Sequence, residues 1–428
     1  HGQKILQASE KAGKSVQEYV DYYSNEFKKL GAELNLSHDA FVRTTNPEHY
    51  QAAQEMWRRC EAAGDIYKKT YSGTYCVGCE AYKTEKELEE GKCVLHPSLI
   101  PEIISEENYF FRFSKYQKAL LTYLSNDEVV VPAWRRDEAI HFVTSGLEDF
   151  SISREKARLS WGVPVPGDDT QVMYVWFDAL TGYLSTLGWP LGGGNFEKFW
   201  QEGKVVQMAG KDQVRFQSLM WQAMLMSAEV KNTDQIFYHG FINSGGQRMS
   251  KSLGNVISPY DLVKKYGTDA TRYLLLRHVH PVEDSDVTWE RLDEWYTANL
   301  VNGLGNLVAR VMKLAEDNLT APVTLTEHDT TLEEAFTSRI EQFEFQSGMD
   351  LTFEHVGKGD EYMTTEEPYK KIKVEETKEQ ARAIIEKLVR HLAKLSAHLR
   401  PVMPATAGAI LAAVKENKKP ENLFPRLG

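Results

Sequence analysis

The sequence lacks the features of membrane proteins and of strongly basic proteins that coat RNA. No apolar run reaches the roughly 18 residues that a transmembrane helix requires, so we expect no membrane span. The net charge is −11, which argues against RNA binding by overall charge but leaves room for a local basic groove. The 428 residues, 42% of them hydrophobic, suffice for about two to four domains with buried cores.

Cysteine is scarce, and three of the four cysteines lie close together. They form the pattern Cys76-x-x-Cys79, then thirteen residues, then Cys93-x-x-His96. Two such pairs on two turns can place four ligands tetrahedrally around Zn²⁺, for which thiolate and imidazole are suitable ligands. The alternative is three unrelated thiols and a surface histidine. We predict one structural zinc ion, because four protein ligands leave no open position for catalysis, and we expect a reducing compartment.

One loop combines flanking glycines with two cations, two hydroxyls and an amide. Its residues are Gly245-Gly246-Gln247-Arg248-Met249-Ser250-Lys251-Ser252-Leu253-Gly254-Asn255. Glycine lets the backbone adopt positive φ and approach a ligand closely, and fixed cations help most where negative charge develops. The pattern therefore favours a loop that holds a polyphosphate during a reaction. On spacing alone, an exposed basic turn fits these residues equally well.

Short apolar segments alternate with helical patterns in the middle of the chain. The strand candidates are Val129–Val131, Val172–Phe177, Val205–Met208 and Ile236–His239. Strands that alternate with helices favour a parallel sheet covered by helices, so the expected fold class is α/β. Polar residues follow the carboxyl ends of these strands, where open α/β sheets bind their ligands.

The flanking segments carry weaker patterns. We expect helix from His1 to about Leu30 and from Asn46 to about Ala63, with a short strand at Asp39–Thr45 between them. After Ser258 the pattern is helical, with an acidic loop expected at Gly357–Glu367.

Several segments together resemble one family. Arg248-Met-Ser-Lys-Ser252 is similar to the KMSKS loop of class I aminoacyl-tRNA synthetases, and Tyr174-Val-Trp-Phe-Asp-Ala-Leu-Thr-Gly-Tyr183 resembles the methionine-pocket segment of methionyl-tRNA synthetases. Other matching segments follow in the family's order: His1–Lys4, Arg43–Thr45, Glu106–Phe110, Ile152–Arg154, Trp161-Gly162, Gly210–Asp212 and the cysteine knuckle. The resemblance implies a Rossmann-like parallel-sheet catalytic domain with a zinc-knuckle insertion, followed by an all-α anticodon-binding bundle.

The resemblance also implies where the domains begin and end. We expect a catalytic domain at 1–65 and 114–257, and the insertion with the zinc knuckle at 66–113. A linker that contacts the tRNA stem would occupy 258–291, and the anticodon-binding domain 292–428.

The resemblance implies a two-step ligase reaction with L-methionine, ATP and tRNA(Met). Methionine attacks the α-phosphate of Mg²⁺-bound ATP, and the methionyl-adenylate then passes its acyl group to the 3′ end of the tRNA. No protein nucleophile is needed, so catalysis depends on positioning and on charge stabilisation. Lys251, assisted by Arg248, would be the catalytic cation that stabilises the leaving pyrophosphate.

Binding residues follow from the resemblance as well. The ATP site would comprise Lys251, Ser250, Ser252, Gly210, Asp212, His239 and Gly240. The methionine pocket would comprise Trp176, Ala179, Leu180, Tyr183 and Gln217, the last standing where many family members have His. The anticodon would contact Asn306, Arg310 and Tyr369. Structural readings stay open: core aromatics for Trp176 and Tyr183, an interhelical hydrogen bond for Asn306, and a rim aromatic for Tyr369.

One departure from the family concerns the start of the sequence. The first residue is His1, and the family's HIGH motif, its first strand and the acidic residue that holds the substrate amino group would precede it. We therefore expect a chain that lacks its first segment, and without that segment we expect no methionine activation. Two other functions stay open: a non-catalytic tRNA-binding module, and a class I synthetase for cysteine, isoleucine, leucine or valine. We expect a cytoplasmic monomer.

Overall fold

The computed structural model describes residues 1–79, 81–83, 88–94, 96, 98–250 and 254–427, with Tyr71, Ala81 and Tyr82 described by their backbone alone. The chain divides into two compact units, residues 1–29 with 37–239 and residues 30–36 with 240–428. Each unit has its own hydrophobic core. None of the helices in the described ranges combines the length and apolar content of a membrane span.

Eight helices belong wholly or mainly to the described part of the first unit. They are α1 (Gln3–Lys11), α2 (Val16–Glu33), α3 (Pro47–Ala62), α4 (Gln117–Leu124), α5 (Ala133–Thr144), α6 (Val175–Leu180), α7 (Gly182–Ser185) and α8 (Trp221–Ser227). The single helix expected at the start is two helices, because Gly13 adopts φ +64° between them. Helix α3 begins at Pro47, whose fixed φ suits a first turn, and it buries Ala53, Met56, Trp57 and Cys60 on one face.

The strands of the first unit form several small sheets. They are β1 (Ile66–Cys76), β2 (Ala81–Lys83), β3 (Leu88–Glu89), β4 (Lys92–Cys93), β5 (Glu102–Phe111), β6 (Val130–Val131), β7 (Phe150–Ser151), β8 (Ser153–Glu155), β9 (Pro164–Val165), β10 (Asp168–Met173), β11 (Val206–Gly210) and β12 (Gln235–His239). The longest pairing is antiparallel, between β1 and β5, from Ile66↔Phe111 to Tyr75↔Glu102. Cys76 ends the first strand of this ribbon, and Cys79, Cys93 and His96 lie between the two strands.

The expected parallel sheet is present, but with fewer strands than the sequence suggested. Its order is β11-β12-β6, and both pairings are parallel. Strand β10 belongs instead to an antiparallel sheet of order β8-β10-β9. The expected strand at Val172–Phe177 is wrong beyond Met173, because Val175 starts helix α6. A short, fully buried apolar run does not distinguish strand from helix by its periodicity.

The second unit is mainly helical. Its strands are β13 (Ile242–Ser244), β14 (Gln247–Arg248) and β15 (Ser285–Asp286), in the order β14-β13-β15. Its helices are α9 (Pro259–Tyr266), α10 (Thr268–His278), α11 (Trp289–Trp295), α12 (Asn306–Asn318), α13 (Glu334–Glu341), α14 (Phe345–Glu366), α15 (Pro368–Lys371), α16 (Lys378–Leu399) and α17 (Pro404–Glu416). A π-helical segment, Tyr296–Gly305, leads into α12. The expected α/β class with a helical second part is confirmed.

Two further sequence expectations are wrong. Residues Asp39–Thr45 form no strand, and Phe41 and Val42 in this segment are exposed. The stretch expected as an acidic loop, Gly357–Glu367, continues helix α14 as far as Glu366. Gly359 serves packing here, since a Cβ atom at that position would lie 2.9 Å from a Leu307 methyl group.

Candidate active site, metal site and base-binding cavity

The residues expected to hold methionine lie on three neighbouring elements of the first unit. Helix α6 carries Trp176, Ala179 and Leu180, helix α7 carries Tyr183, and Gln217 lies in the π-helical turn before α8. Gln217 donates a hydrogen bond from Nε2 to the Tyr183 hydroxyl. The Trp176 ring stacks on Phe216, with ring centroids 4.3 Å apart. The structure therefore links Tyr183 to Gln217 by a hydrogen bond and stacks Trp176 on Phe216, the residue before Gln217.

A buried polar network lies behind these helices. Asp178 of α6 is fully buried, and its carboxylate contacts His1 Nδ1 at 2.8 Å and His49 Nε2 at 3.4 Å. His1 also contacts the Tyr50 hydroxyl at 3.1 Å, and His49 Nδ1 lies 3.1 Å from Ser185 Oγ of α7. Burial raises the pKa of Asp178, and the bond from His49 opposes this shift. A buried carboxylate needs such partners, because desolvation disfavours its charged form.

Three residues expected near the nucleotide lie at the carboxyl edge of the parallel sheet. Gly210 ends β11 and is the register partner of His239, which ends β12. Asp212 follows in the next turn, and its Oδ1 would lie 2.8 Å from a Cβ atom at position 210. A side chain at position 210 would therefore crowd the Asp212 carboxylate, and glycine leaves room for it.

The glycine-rich loop of the second unit begins as a tight hairpin. Strands β13 and β14 pair Asn243 with Arg248 and Ser244 with Gln247. Gly245 and Gly246 form the turn at φ +65° and +74°, as a type I′ turn requires.

The loop is tied together by Asn255. Its Nδ2 donates to Ser244 O at 3.1 Å and to Arg248 O at 3.2 Å, and its Oδ1 accepts from Ser250 N at 2.9 Å. The Arg248 guanidinium lies 4.0 Å from the centre of the Phe241 ring. Lys251 and Ser252 lie outside the described residues.

Gly240 precedes β13 and makes a close backbone approach. A Cβ atom at this position would lie 2.1 Å from the Glu283 carbonyl oxygen and 2.7 Å from Asp284 N. No side chain fits there without a shift of the backbone. Glycine is therefore required at position 240, because the backbone there lies against the peptide group of Glu283.

The four expected zinc ligands converge. Their ligand atoms all lie within 4.8 Å of one another, with Cys79 Sγ 3.4 Å from Cys93 Sγ and 3.3 Å from His96 Nδ1, and Cys76 Sγ 3.9 Å from His96 Nδ1. Tetrahedral zinc with its usual bond lengths separates such atoms by about 3.5–3.8 Å. Burial raises the pKa of the Cys79 thiol to about 12, so metal binding must displace its proton. The donor set therefore fits one zinc ion.

Gly78 leaves room for one of the four ligands. Its φ is outside the left-handed region, in contrast to Gly91, which adopts φ +76°. A Cβ atom at 78 would lie 2.5 Å from His96 Cγ and 2.8 Å from a Leu99 methyl group. Glycine is present because the His96 ring packs directly on the backbone.

Two of the three expected anticodon residues line one cavity of about 500 Å³ in the second unit. The lining residues are Ala309, Arg310, Lys313, Leu314, Met363, Tyr369 and Lys419. Arg310 Nη1 bonds to Asp360 at 3.1 Å, and burial raises the pKa of that carboxyl group while Arg310 opposes the shift. Asn306 stands one helical turn before Arg310 on α12 and is absent from this lining.

Sequence reasoning missed several residues that the structure brings into these sites. His49 and Asp178 escaped attention, although Asp178 lies inside the segment that resembles the methionine pocket. Lys313 and Lys419 were also missed. Lys313 follows Arg310 by three residues, so helical spacing could have found it, whereas no local pattern points to Lys419.

Comparisons with known proteins agree with one another. The family profile "tRNA synthetases class I (M)" matches residues 1–99 and 79–312. A methionine–tRNA ligase of Fusobacterium nucleatum is 35% identical over 99% of this chain and 68% of its own length. The chloroplastic/mitochondrial methionine–tRNA ligase of Arabidopsis thaliana is 42% identical over 74% of this chain, a match that spans 52% of the relative. A crystal structure of Mycobacterium tuberculosis methionyl-tRNA synthetase bound by methionyl-adenylate is 34% identical, with a TM-score of 0.88 over 100% of this chain and 89% of that chain.

Proposed function

The chain belongs to the methionine type of the class I tRNA synthetases, and from this membership we propose that it is a methionine–tRNA ligase. It activates L-methionine with ATP and transfers the methionyl group to the 3′ end of tRNA(Met). The observation that carries the proposal is the bond between Tyr183 and Gln217 beside the Trp176–Phe216 stack. These residues occupy the segments that correspond to the family's methionine pocket.

The proposed pocket suits a thioether side chain. Aromatic rings hold sulfur favourably, and the methionine chain is otherwise apolar. Because Gln217 Nε2 donates to the Tyr183 oxygen, the phenolic proton of Tyr183 remains available to a weak acceptor such as sulfur. Gln217 also carries no charge at any pH, so this position adds no pH dependence to methionine binding.

The residues proposed to bind ATP are those that the family resemblance assigns. Gly210, Asp212, His239 and Gly240 contact the adenosine, and Arg248, Ser250, Lys251 and Ser252 hold the phosphates together with Mg²⁺. Lys251 is the principal cation on the departing pyrophosphate and Arg248 assists it. Asn255 supports this assignment, since its bonds fix the backbone at Arg248 and at Ser250, the residue before Lys251. Fixed cations of this kind stabilise charge that develops in the transition state.

The proposed partner of the helical unit is the anticodon loop of tRNA(Met). The cavity at Arg310 and Tyr369 offers an aromatic ring, an apolar floor and three cations, the combination that holds an unpaired base and its phosphate. Asn306 would contact a second base from the preceding turn of α12. Residues 258–291 would contact the tRNA stem, and the zinc ion would stabilise the inserted ribbon at 66–113 without taking part in the chemistry.

Methionine-dependent exchange between ATP and pyrophosphate tests the proposal. The protein used should contain any residues that precede His1 in the natural chain. We expect exchange with methionine and much slower exchange with cysteine, isoleucine, leucine or valine. Absence of exchange with every amino acid refutes the enzyme, and a preference for another amino acid refutes the assignment of methionine.

A single substitution tests the role of the glycine-rich loop. Lys251→Ala should slow exchange by about 10²-fold or more, because one contact to developing charge is typically of that size. Lys415→Ala, which removes an exposed lysine at the end of α17, is the matched control and should leave exchange unchanged. Near-normal exchange by Lys251→Ala would contradict the assignment. A cytoplasmic location and a monomeric state stay predictions.

A further inference from the structure

His49 links the two helices that carry the proposed methionine pocket. It is 1% exposed, and both of its ring nitrogens are engaged. Nε2 faces Asp178 of α6, and Nδ1 faces Ser185 of α7. One imidazole on α3 thus bonds to the helix of Trp176 and to the helix of Tyr183.

The hydrogen-bond directions in this network follow from the hydroxyl of Ser185. Ser185 Oγ donates to Gly182 O at 3.3 Å, so it must accept a hydrogen bond from His49 Nδ1. In this arrangement His49 Nδ1 donates to Ser185, and Nε2 faces Asp178 Oδ1 at 3.4 Å. The buried Asp178 carboxylate thus has a histidine partner at each oxygen, which reduces the cost of burying it.

His49 also lies near the start of α7. A Cβ atom at Gly182, the first residue of α7, would lie 3.4 Å from a Val42 methyl group and 4.0 Å from His49 Cε1. These are ordinary contact distances, so the start of α7 lies next to His49 without crowding. The direct link between His49 and α7 is the hydrogen bond to Ser185, two residues after Tyr183.

We propose that His49 is a positioning residue for the amino-acid pocket, because its bonds to Asp178 and Ser185 fix the relative placement of Trp176 and Tyr183. This inference rests on the proposed function, since it assumes that those two side chains bind methionine. His49 itself does not touch the substrate. Asp178 is its partner in the network and His1 the second support of the same carboxylate.

The test is a comparison of Michaelis constants in the exchange assay. His49→Phe keeps a planar ring but removes both hydrogen bonds, and we expect it to raise the methionine KM by about tenfold or more, the size expected for loss of a buried polar contact. The ATP KM should change by less than about twofold. Ser185→Ala removes one of the two bonds and should raise the methionine KM by about threefold. His49→Gln, which can restore one polar contact, should recover part of the affinity.

A buried histidine of the second unit provides the matched control. His398 is fully buried on α16, so His398→Phe makes the same chemical change away from the proposed pocket. This variant should keep the wild-type methionine KM whatever its melting temperature. Ser185→Ala, the mildest change, keeps the test decisive if His49→Phe fails to fold.

The outcomes separate the inference from the function on which it rests. If wild-type protein shows no methionine-dependent exchange, the proposed function fails. If wild type is active but the His49 and Ser185 variants keep its methionine KM, the inference alone is overturned. Equal rises in the KM values of methionine and ATP also overturn it, because they indicate general loosening of the fold.

Discussion

Replacement of Gly78 by alanine should weaken zinc binding at the proposed site, because it crowds one of the ligands. The added Cβ would lie 2.5 Å from His96 Cγ, whereas ordinary contacts begin at 3.4 Å. The ring must therefore retreat by about 0.9 Å, while zinc–ligand distances tolerate changes of only about 0.2 Å. Because His96 is one of four converging donors, we expect the zinc dissociation constant to rise by about 10²-fold or more.

Competition with a chromogenic chelator of known affinity measures this change under reducing conditions. Elemental analysis should first give one zinc per wild-type chain. Gly357→Ala is the control, since its Cβ meets nothing within 4 Å on α14 and its backbone is helical. It should leave zinc binding unchanged and stabilise the helix by about 0.5–1 kcal/mol. Wild-type zinc affinity in Gly78→Ala would refute the steric argument, and absence of zinc from metal-replete wild type would refute the metal site.

Three other substitutions probe separate parts of the chain. Gly240→Ala forces a Cβ atom to within 2.1 Å of Glu283 O. We therefore expect the free energy of unfolding to fall by about 1–3 kcal/mol or more. An unchanged melting temperature would contradict the close approach. Arg310→Ala should raise the KM for tRNA by about tenfold in aminoacylation but leave exchange intact, and equal loss in both assays would argue against a role in tRNA binding. Burial lowers the pKa of His398 to about 4. Because this histidine binds a proton at higher pH in the unfolded chain than in the folded chain, it destabilises the fold as the pH falls below about 6.5. His398→Phe should therefore lose less stability than wild type between about pH 7 and pH 5 in thermal melts, and identical losses would contradict the shift.

Local patterns in the sequence predicted those parts of the structure that depend on spacing. The cysteine pairs and His96 do converge, because two short turns bring i and i+3 ligands together whatever the surrounding fold. Gly245 and Gly246 form the tight turn that their lack of a side chain allows. The family resemblance drawn from the whole chain is confirmed by the comparisons.

The features that the sequence did not predict depend on contacts between residues far apart in the chain. Gly359 looks like part of a loop, yet it lies within α14 because the helix packs tightly on Leu307 there. The run from Val172 continues as apolar residues beyond Met173, but the backbone changes from strand to helix. His49 and Asp178 are 129 positions apart, and no local pattern in a single sequence reports such a pair.

Glycine is required in this chain either because a Cβ atom would collide with a neighbour or because the backbone adopts positive φ. The hairpin at Gly245-Gly246 is an example of the second requirement. Cβ atoms at both positions would meet nothing within 4 Å, so vacant space is plentiful. What excludes an L-amino acid is handedness, since both residues lie at positive φ. D-alanine, introduced by chemical ligation, is the mirror-image residue that should fit this turn without strain. The constraint at Gly240 is of the other kind, because there the Cβ of an L-residue would collide with the Glu283 carbonyl oxygen.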